Sequence, residues 1–97
     1  MLTVFIEYKL QPEKREQALR LIASMAESME ALGARQYRCM EGLDQPGLFV
    51  EAFEVATVRE YEQIKAHRLA DRAFCDCVAG GADKLHVWAF RPAGLPQ

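Results

Sequence analysis

The order of strand and helix patterns along this chain leaves few folds open to it. A period of two, with many β-branched and aromatic residues, predicts four strands at residues 2–10, 34–41, 48–55 and 85–91. Helical patterns fill the two longer gaps, so the order is strand, helix, strand, strand, helix, strand. Both faces of the strands are largely apolar, and one layer of helices covers only one face of a sheet. The other face therefore needs a partner or a ligand.

Two segments between the strands have the signals of helices. The first begins at Pro12, whose missing N–H costs nothing in a first helical turn. Its apolar stripe consists of Ala18, Ile22, Met25, Met29 and Leu32. The second begins at Thr57, which is spaced to form a capping box with Glu60. Its stripe becomes irregular near His67, and a kink or a second short helix over residues 70–78 explains that irregularity.

The middle of the chain has a tight turn at residues 42–47, which contain proline and glycine and join two strands as a hairpin. A central hairpin with a helical crossover on each side predicts an α+β fold. This is the ferredoxin-like βαββαβ arrangement, an antiparallel sheet of order 4-1-3-2 with both helices on one face. We expect one domain over residues 1–92 and a C-terminal tail over residues 93–97.

The two faces of the predicted sheet differ in side-chain size. We expect the mid-sized residues to face the helices, namely Val4, Ile6, Val50, Ala52, Leu85, Val87 and Ala89. The opposite face then carries Phe5, Glu7, Phe49, Glu51, Phe53, His86, Trp88 and Phe90, with Arg35, Tyr37 and Cys39 beside them. Monomers rarely expose so large an aromatic patch. We therefore expect a homodimer in which a second copy covers it.

Composition excludes several classes of function. With 12 basic and 14 acidic residues interspersed, the chain of 97 residues has a net charge of -2 and no basic patch for nucleic acid. No apolar run approaches the roughly 20 residues of a membrane span, and no leader pattern is present. We expect a cytoplasmic protein that binds neither nucleic acid nor membrane.

Three cysteines are too few and too irregular for a disulfide framework. The sequence Cys75-Asp76-Cys77 lacks the two-residue spacer of redox and zinc motifs, which favours plain reduced thiols. A redox role for the Cys75 and Cys77 pair is the alternative.

Ionisable residues among the aromatic ones are the candidate site. In the predicted strand order Glu7, Glu51 and His86 converge near the middle of the sheet. Carboxylates buried near an imidazole have shifted pKa values and are candidates for proton transfer. The alternative is that they form hydrogen-bonded pairs inside a dimer interface. Trp88 either stacks on a flat ligand or anchors the dimer.

His67 is the second candidate, because a histidine at a helix break beside a sheet can act as an acid or base. More often such a residue lies on the surface or caps the helix. The two histidines lack the spacing of metal ligands, so we expect no metal.

Three segments together resemble the dimeric α+β barrel superfamily. They are LFVEAFEV at residues 48–55, YEQIKAHRL at residues 61–69 and HVWAF at residues 86–90. The superfamily includes antibiotic-biosynthesis monooxygenase-like and stress-responsive barrel proteins, and the likeness is one of pattern over nearly the whole chain. It implies dimers that pair sheet to sheet, with a substrate cavity between the sheet and the helices. It also implies that His67 matches a histidine that points into that cavity.

The resemblance also implies the type of chemistry. Some members oxidise polycyclic phenols without metal or flavin, and others degrade haem. Haem-degrading members have an asparagine late in the first strand and a tryptophan ahead of the histidine. This chain has Glu7 in its first strand and its tryptophan, Trp88, in the last one, which does not match the pattern of haem degradation.

The sequence thus predicts a cofactor-independent monooxygenase-like enzyme for a flat apolar or phenolic molecule. His67 is the predicted catalytic residue. The predicted substrate-binding residues are Glu7, Tyr37, Glu51, Phe53, His86 and Trp88. The alternative is a barrel protein that binds small molecules or is associated with stress, without catalysis.

Overall fold

The computed structural model describes residues 1–96, which form a four-stranded sheet with the helices on one face. The elements are β1 (Leu2–Lys9), α1 (Arg15–Ala31), β2 (Arg35–Glu41), β3 (Leu48–Val55), α2 (Val58–Ala70), α3 (Arg72–Cys75) and β4 (His86–Phe90). Neighbouring strands are antiparallel in the order β2-β3-β1-β4. This confirms the predicted fold and strand order. The last residue of the predicted tail, Gln97, lies outside the described residues.

Helix α1 follows a 3₁₀ turn at Pro12–Lys14 and covers the sheet with its predicted stripe. Its buried residues are Ala18, Ile22, Met25 and Met29, spaced by four and three residues as one helix face requires. The helix ends at Ala31, and Gly33, the residue after its C-cap Leu32, has a φ of 113° in the left-handed region. The N–H of Ala34 then donates to the carbonyl of Met29 at 3.0 Å, which closes the last turn.

Helix α2 begins with the predicted capping box. The hydroxyl of Thr57 accepts the N–H of Glu60 at 3.1 Å, and the carboxylate of Glu60 accepts the N–H of Thr57. The irregularity near the end of α2 is a break at Asp71, where the backbone is extended. The side chain of Asp71 caps α3 by accepting the N–H of Phe74. Within residues 1–96, none of the helices is both long and apolar enough to cross a membrane.

The predicted faces of β1 and β4 are confirmed, but those of β3 are reversed. Residues of β3 pair across from β1 as Phe53 with Val4 and Glu51 with Ile6, and directly opposed residues share a face. The helix side of β3 therefore carries Phe49, Glu51, Phe53 and Val55, all buried. The expectation that Val50 and Ala52 lie under the helices was wrong. The layer between sheet and helices is filled by larger side chains than we expected.

On β2, Tyr37 and Cys39 also lie on the helix side, because Cys39 pairs with Glu51. Their predicted place on the face away from the helices was therefore wrong. That face, hereafter the open face, consists of Thr3, Phe5, Glu7, Lys9, Arg38, Met40, Leu48, Val50, Ala52, Glu54, His86, Trp88 and Phe90. The aromatic character of this face thus comes from β1 and β4 alone.

Candidate functional site

The helix side of the sheet encloses a cluster of four polar side chains, the buried cluster, formed by Tyr8, Tyr37, Glu51 and Arg68. Glu51 and Arg68 have no solvent exposure. The guanidinium donates two hydrogen bonds to the carboxylate, at 2.5 and 2.7 Å. The hydroxyls of Tyr8 and Tyr37 donate to the same carboxylate at 2.5 and 2.7 Å. Four donors satisfy the two oxygens of Glu51.

The environment of the tyrosines opposes their ionisation. Burial, the negative charge of Glu51 and the hydrogen bond to Glu51 together raise the pKa of Tyr8 well above its usual range. The same three causes raise the pKa of Tyr37. Both hydroxyls are therefore hydrogen-bond donors throughout the physiological pH range, and neither is a proton acceptor for a substrate.

Arg68 reaches the cluster from α2 and is packed on all sides. Its guanidinium carbon lies 4.8 Å from the ring centroid of Phe74, and one nitrogen lies 3.2 Å from the sulfur of Met29. Burial lowers the pKa of Arg68, but the hydrogen bonds and the charge of Glu51 outweigh this and raise the pKa above its usual value. Its Nε has no hydrogen-bond partner among the described residues. The buried cluster is a closed ion pair that joins α2 to the sheet.

A second candidate site lies at the end of the sheet where β1 and β4 meet the 3₁₀ turn Gly81–Lys84. This cavity, the open-face pocket, has a volume of about 350 Å³. Its lining residues are Glu7, Tyr8, Lys9, Leu48, Ala79, Gly80, Lys84 and His86. Three of them (Glu7, Lys9 and His86) bring charged or titratable side chains of the open face to the cavity, and Lys84 adds a fourth. A pocket of this size is at the low end of small-molecule sites.

Within the open-face pocket, a carboxylate and an imidazole come from directly opposed positions. Glu7 of β1 pairs with His86 of β4, so their side chains emerge side by side on the open face. The ring of His86 is stacked on Trp88, with centroids 5.4 Å apart and an interplanar angle of 8°. A flat ring entering the pocket thus meets an imidazole next to an exposed indole.

The structure divides the six predicted substrate-binding residues between the two faces. Tyr37, Glu51 and Phe53 lie on the helix side, where the rings of Tyr37 and Phe53 are 6.2 Å apart. Glu7, His86 and Trp88 lie together on the open face, as the register of β1 and β4 requires. The predicted convergence therefore holds for Glu7 and His86 but does not include Glu51.

His67, the predicted catalytic residue, has an exposed side chain on α2. The inward position belongs to the next residue, Arg68. A catalytic role for His67 stays a prediction of the sequence, and within this chain its imidazole has access to solvent rather than to the buried cluster.

Sequence reasoning missed Arg68 and Tyr8 as members of the buried cluster. A signal for Arg68 was present, because it lies seven residues after Tyr61 and four after Ile64, on the same helix face. Tyr8 lies two residues after Ile6 and so shares its face of β1, but the pattern of a single strand does not identify its hydrogen-bond partner. The partner is 43 residues away in the sequence.

The cysteines are free thiols, with Cys39 exposed and Cys75 and Cys77 buried. Burial is the main cause that raises the pKa values of Cys75 and Cys77, which makes both thiols poor nucleophiles. Among residues 1–96, no group of three or more histidine, cysteine, aspartate or glutamate side chains is arranged to hold a metal ion.

Comparisons with known proteins identify the fold. No protein-family model matches the sequence, and no curated protein matches it either. A protein of Bordetella bronchiseptica, provisionally named an antibiotic biosynthesis monooxygenase, superposes with a TM-score of 0.76 at 11% identity, over 95% of this chain and 96% of that one. One of Nitrosomonas europaea with the same provisional name gives 0.74 at 18% identity, over 95% and 98%. Rv0793 of Mycobacterium tuberculosis gives 0.66 at 18% identity, over 99% and 98%.

These similarities confirm the predicted resemblance at the level of fold. The chain has the ferredoxin-like α+β fold of the antibiotic-biosynthesis monooxygenase-like proteins. Sequence identities this low carry the architecture and not the activity.

Proposed function

We propose that the protein is a homodimer in which the open faces of two copies pack together. Three large apolar side chains of this face are well exposed in the single chain, Met40 at 43%, Trp88 at 43% and Phe90 at 55%. The helices cover only the other face of the sheet. Contiguous apolar exposure of this kind marks an interaction surface, and a second copy offers a matching apolar surface.

In this dimer the open-face pocket binds a flat phenolic molecule. The pocket borders the open face, so a second copy packed there narrows its access to water. A planar ring fits beside the stacked pair of His86 and Trp88, where aromatic faces attract one another. The hydroxyl of such a ring then lies within the reach of the imidazole.

The activity proposed is oxygenation without a cofactor. His86 accepts the acidic proton of the substrate, which is the O–H of a phenol or a ring-methylene C–H of an anthrone, and Glu7 beside it stabilises the imidazolium that forms. The electron-rich phenolate then reduces dioxygen, so the substrate supplies all the electrons. For a ring methylene the balance is CH₂ + O₂ → C=O + H₂O, in which carbon is oxidised and both oxygen atoms are reduced. The observation that carries this proposal is the Glu7 and His86 pair in a pocket beside an exposed indole.

Oxygen uptake with anthrone tests the proposal, since anthrone and dioxygen give anthraquinone and water. We expect catalysed uptake by the purified protein and a loss of about 100-fold or more in kcat for His86→Ala, the contribution of a general base. Glu7→Gln lowers kcat less. Glu62→Gln, which changes an exposed glutamate on α2, is the matched control and keeps the activity.

Two outcomes contradict this assignment. If His86→Ala keeps full activity and His67→Ala loses it, the general base is His67, as the sequence predicted, and not His86. Uptake no faster than the spontaneous oxidation of anthrone removes the enzymatic proposal altogether.

The buried cluster favours a second candidate, a barrel protein that binds a small molecule without chemistry. The layer between sheet and helices contains a satisfied ion pair, and both of its tyrosines are held as donors. That layer therefore offers no proton acceptor to a substrate. Ligand binding in the open-face pocket without oxygen uptake is the result expected for this candidate.

A further inference from the structure

We propose that the ligand of the open-face pocket is an aromatic carboxylate and that Lys9 and Lys84 bind its carboxylate group. The inference rests on the pocket of the proposed function and names the class of molecule that enters it. It does not depend on whether the bound molecule is then oxygenated.

The charge of the pocket is the first argument. Two lysines line it against one carboxylate, that of Glu7, although the chain as a whole has a net charge of -2. Among residues 1–96, neither Lys9 nor Lys84 forms an ion pair, whereas Arg15 and Arg68 are paired with Glu41 and Glu51. Two lysines without an ion pair in the lining of one pocket favour an anionic ligand.

The backbone holds the two lysines at the same cavity. The N–H of Ala79 donates to the carbonyl of Lys9 at 2.8 Å, which ties the loop before β4 to the end of β1. Lys84 closes the 3₁₀ turn that follows this loop. The hydrogen bond therefore keeps the two lysines, 75 positions apart by their numbers, on one pocket.

Gly80 fixes the path of the Lys84 side chain. Its φ of 87° belongs to the left-handed region, and a Cβ on this residue would overlap the Cγ of Lys84. The methylene chain of Lys84 therefore lies across a backbone position that has no side chain. Both residues of this contact line the pocket.

The remaining lining sets where the ring lies. His86, whose ring stacks on Trp88, provides aromatic surface on the β4 side of the pocket, while Lys9 and Lys84 border it from β1 and the loop. A ligand with a flat apolar ring and a carboxylate at one end satisfies both parts of the lining. Lysines attract the carboxylate as point charges, and stacking determines the plane of the ring.

Isothermal titration of the full chain with 2-naphthoate and 2-naphthol separates charge from shape, because the two ring systems are the same. We expect 2-naphthoate to bind more tightly. In Lys9→Met/Lys84→Met the dissociation constant of 2-naphthoate rises by about fivefold or more, the upper range for exposed ion pairs. The dissociation constant of 2-naphthol stays the same, since methionine keeps an unbranched chain over Gly80.

Lys65→Met is the matched control, because Lys65 lies on α2 near the ring of Tyr61 and away from the pocket. It leaves the affinities for both ligands unchanged. Raising the salt concentration weakens the binding of 2-naphthoate in the wild type more than in the double variant.

The results that overturn the inference differ from those that overturn the proposed function. If 2-naphthol binds as well as 2-naphthoate, or if the double variant loses both equally, the carboxylate site is wrong while the pocket remains. Binding of neither ligand overturns it as well. Lysine-dependent binding of 2-naphthoate without oxygen uptake from anthrone supports the carboxylate site and contradicts the oxygenation.

Discussion

Glu51 in the middle of β3 and Arg68 on α2 form a bidentate ion pair, and neither side chain is exposed to solvent. Removing two charges from water costs free energy that their attraction repays only with good geometry and further hydrogen bonds. Tyr8 and Tyr37 supply those bonds to the carboxylate. The pair thus fixes the position of α2 over the sheet by a polar contact inside an apolar layer.

Replacing Arg68 by methionine is expected to destabilise the fold strongly. The substitution leaves Glu51 charged and buried without its cation, a situation that costs about 3–5 kcal/mol. Urea unfolding followed by circular dichroism measures the change in the free energy of unfolding.

The double variant Glu51→Gln/Arg68→Met is the control for this interpretation. Its glutamine can accept one tyrosine hydroxyl through Oε1 and donate from Nε2 to the hydroxyl oxygen of the other, and no unpaired charge remains. We expect it to be more stable than Arg68→Met alone. If the double variant is the less stable of the two, the loss of stability in Arg68→Met comes from lost packing against Phe74 and Met29 rather than from the unpaired charge of Glu51.

Alkaline pH is expected to destabilise the protein through Tyr8 and Tyr37. In the unfolded chain both hydroxyls release their protons near the ordinary tyrosine pKa of 10.0, whereas in the folded chain both pKa values are raised. Above about pH 10 the unfolded state therefore binds fewer protons than the folded state. The two tyrosines contribute their full stabilisation below that pH, and the free energy of unfolding falls as the pH rises beyond it.

Absorbance of tyrosinate near 295 nm checks this directly. While the protein is folded, Tyr37→Phe gives the same rise in absorbance with pH as the wild type. Tyr37 stays protonated in the folded wild type and is absent from the variant, so it adds no tyrosinate absorbance in either protein. A curve smaller by one tyrosine in Tyr37→Phe contradicts the raised pKa.

The architecture was predictable because it depends on local patterns. The spacing of the α1 stripe, the capping box at Thr57 and the central turn each act within a few residues, and all three are present. The faces of β3 were not predictable in the same way. Its two sides are almost equally apolar, so the alternation does not say which side faces the helices. The register with β1 decides it, and that register is a long-range property.

The candidate sites show the same limit. Glu7 and His86 were expected together because they lie at adjacent positions of neighbouring strands, and they do pair. The buried cluster instead needs the rotation of α2, which places Arg68 inward and His67 outward. A one-residue change in the helical stripe reverses that choice. A buried arginine at position 68 of α2 can be explained only once its carboxylate partner, Glu51, is known.

Thr57 is expected to contribute measurably to the stability of α2. Thr57→Ala removes the acceptor of the Glu60 N–H and leaves that group without its side-chain partner. The expected loss is about 1 kcal/mol in the free energy of unfolding. Thr57→Ser keeps the hydroxyl and serves as the control in the same urea titration. Equal losses in both variants show that the methyl group, and not the cap, carries the effect.

Trp88→Glu is expected to convert the proposed dimer into single chains. The indole exposes 43% of its surface at the open face, and a carboxylate there sets two negative charges against each other across a two-fold interface. Leu19→Glu is the matched control, since Leu19 is similarly exposed at 38% but lies on α1, on the other side of the sheet. Sedimentation equilibrium at micromolar concentration should give twice the chain mass of 11.0 kDa for the wild type and for Leu19→Glu, and a single chain for Trp88→Glu. A wild type that sediments as one chain contradicts the dimer, and a Trp88→Glu variant that stays dimeric shows that the contact lies elsewhere than on the open face.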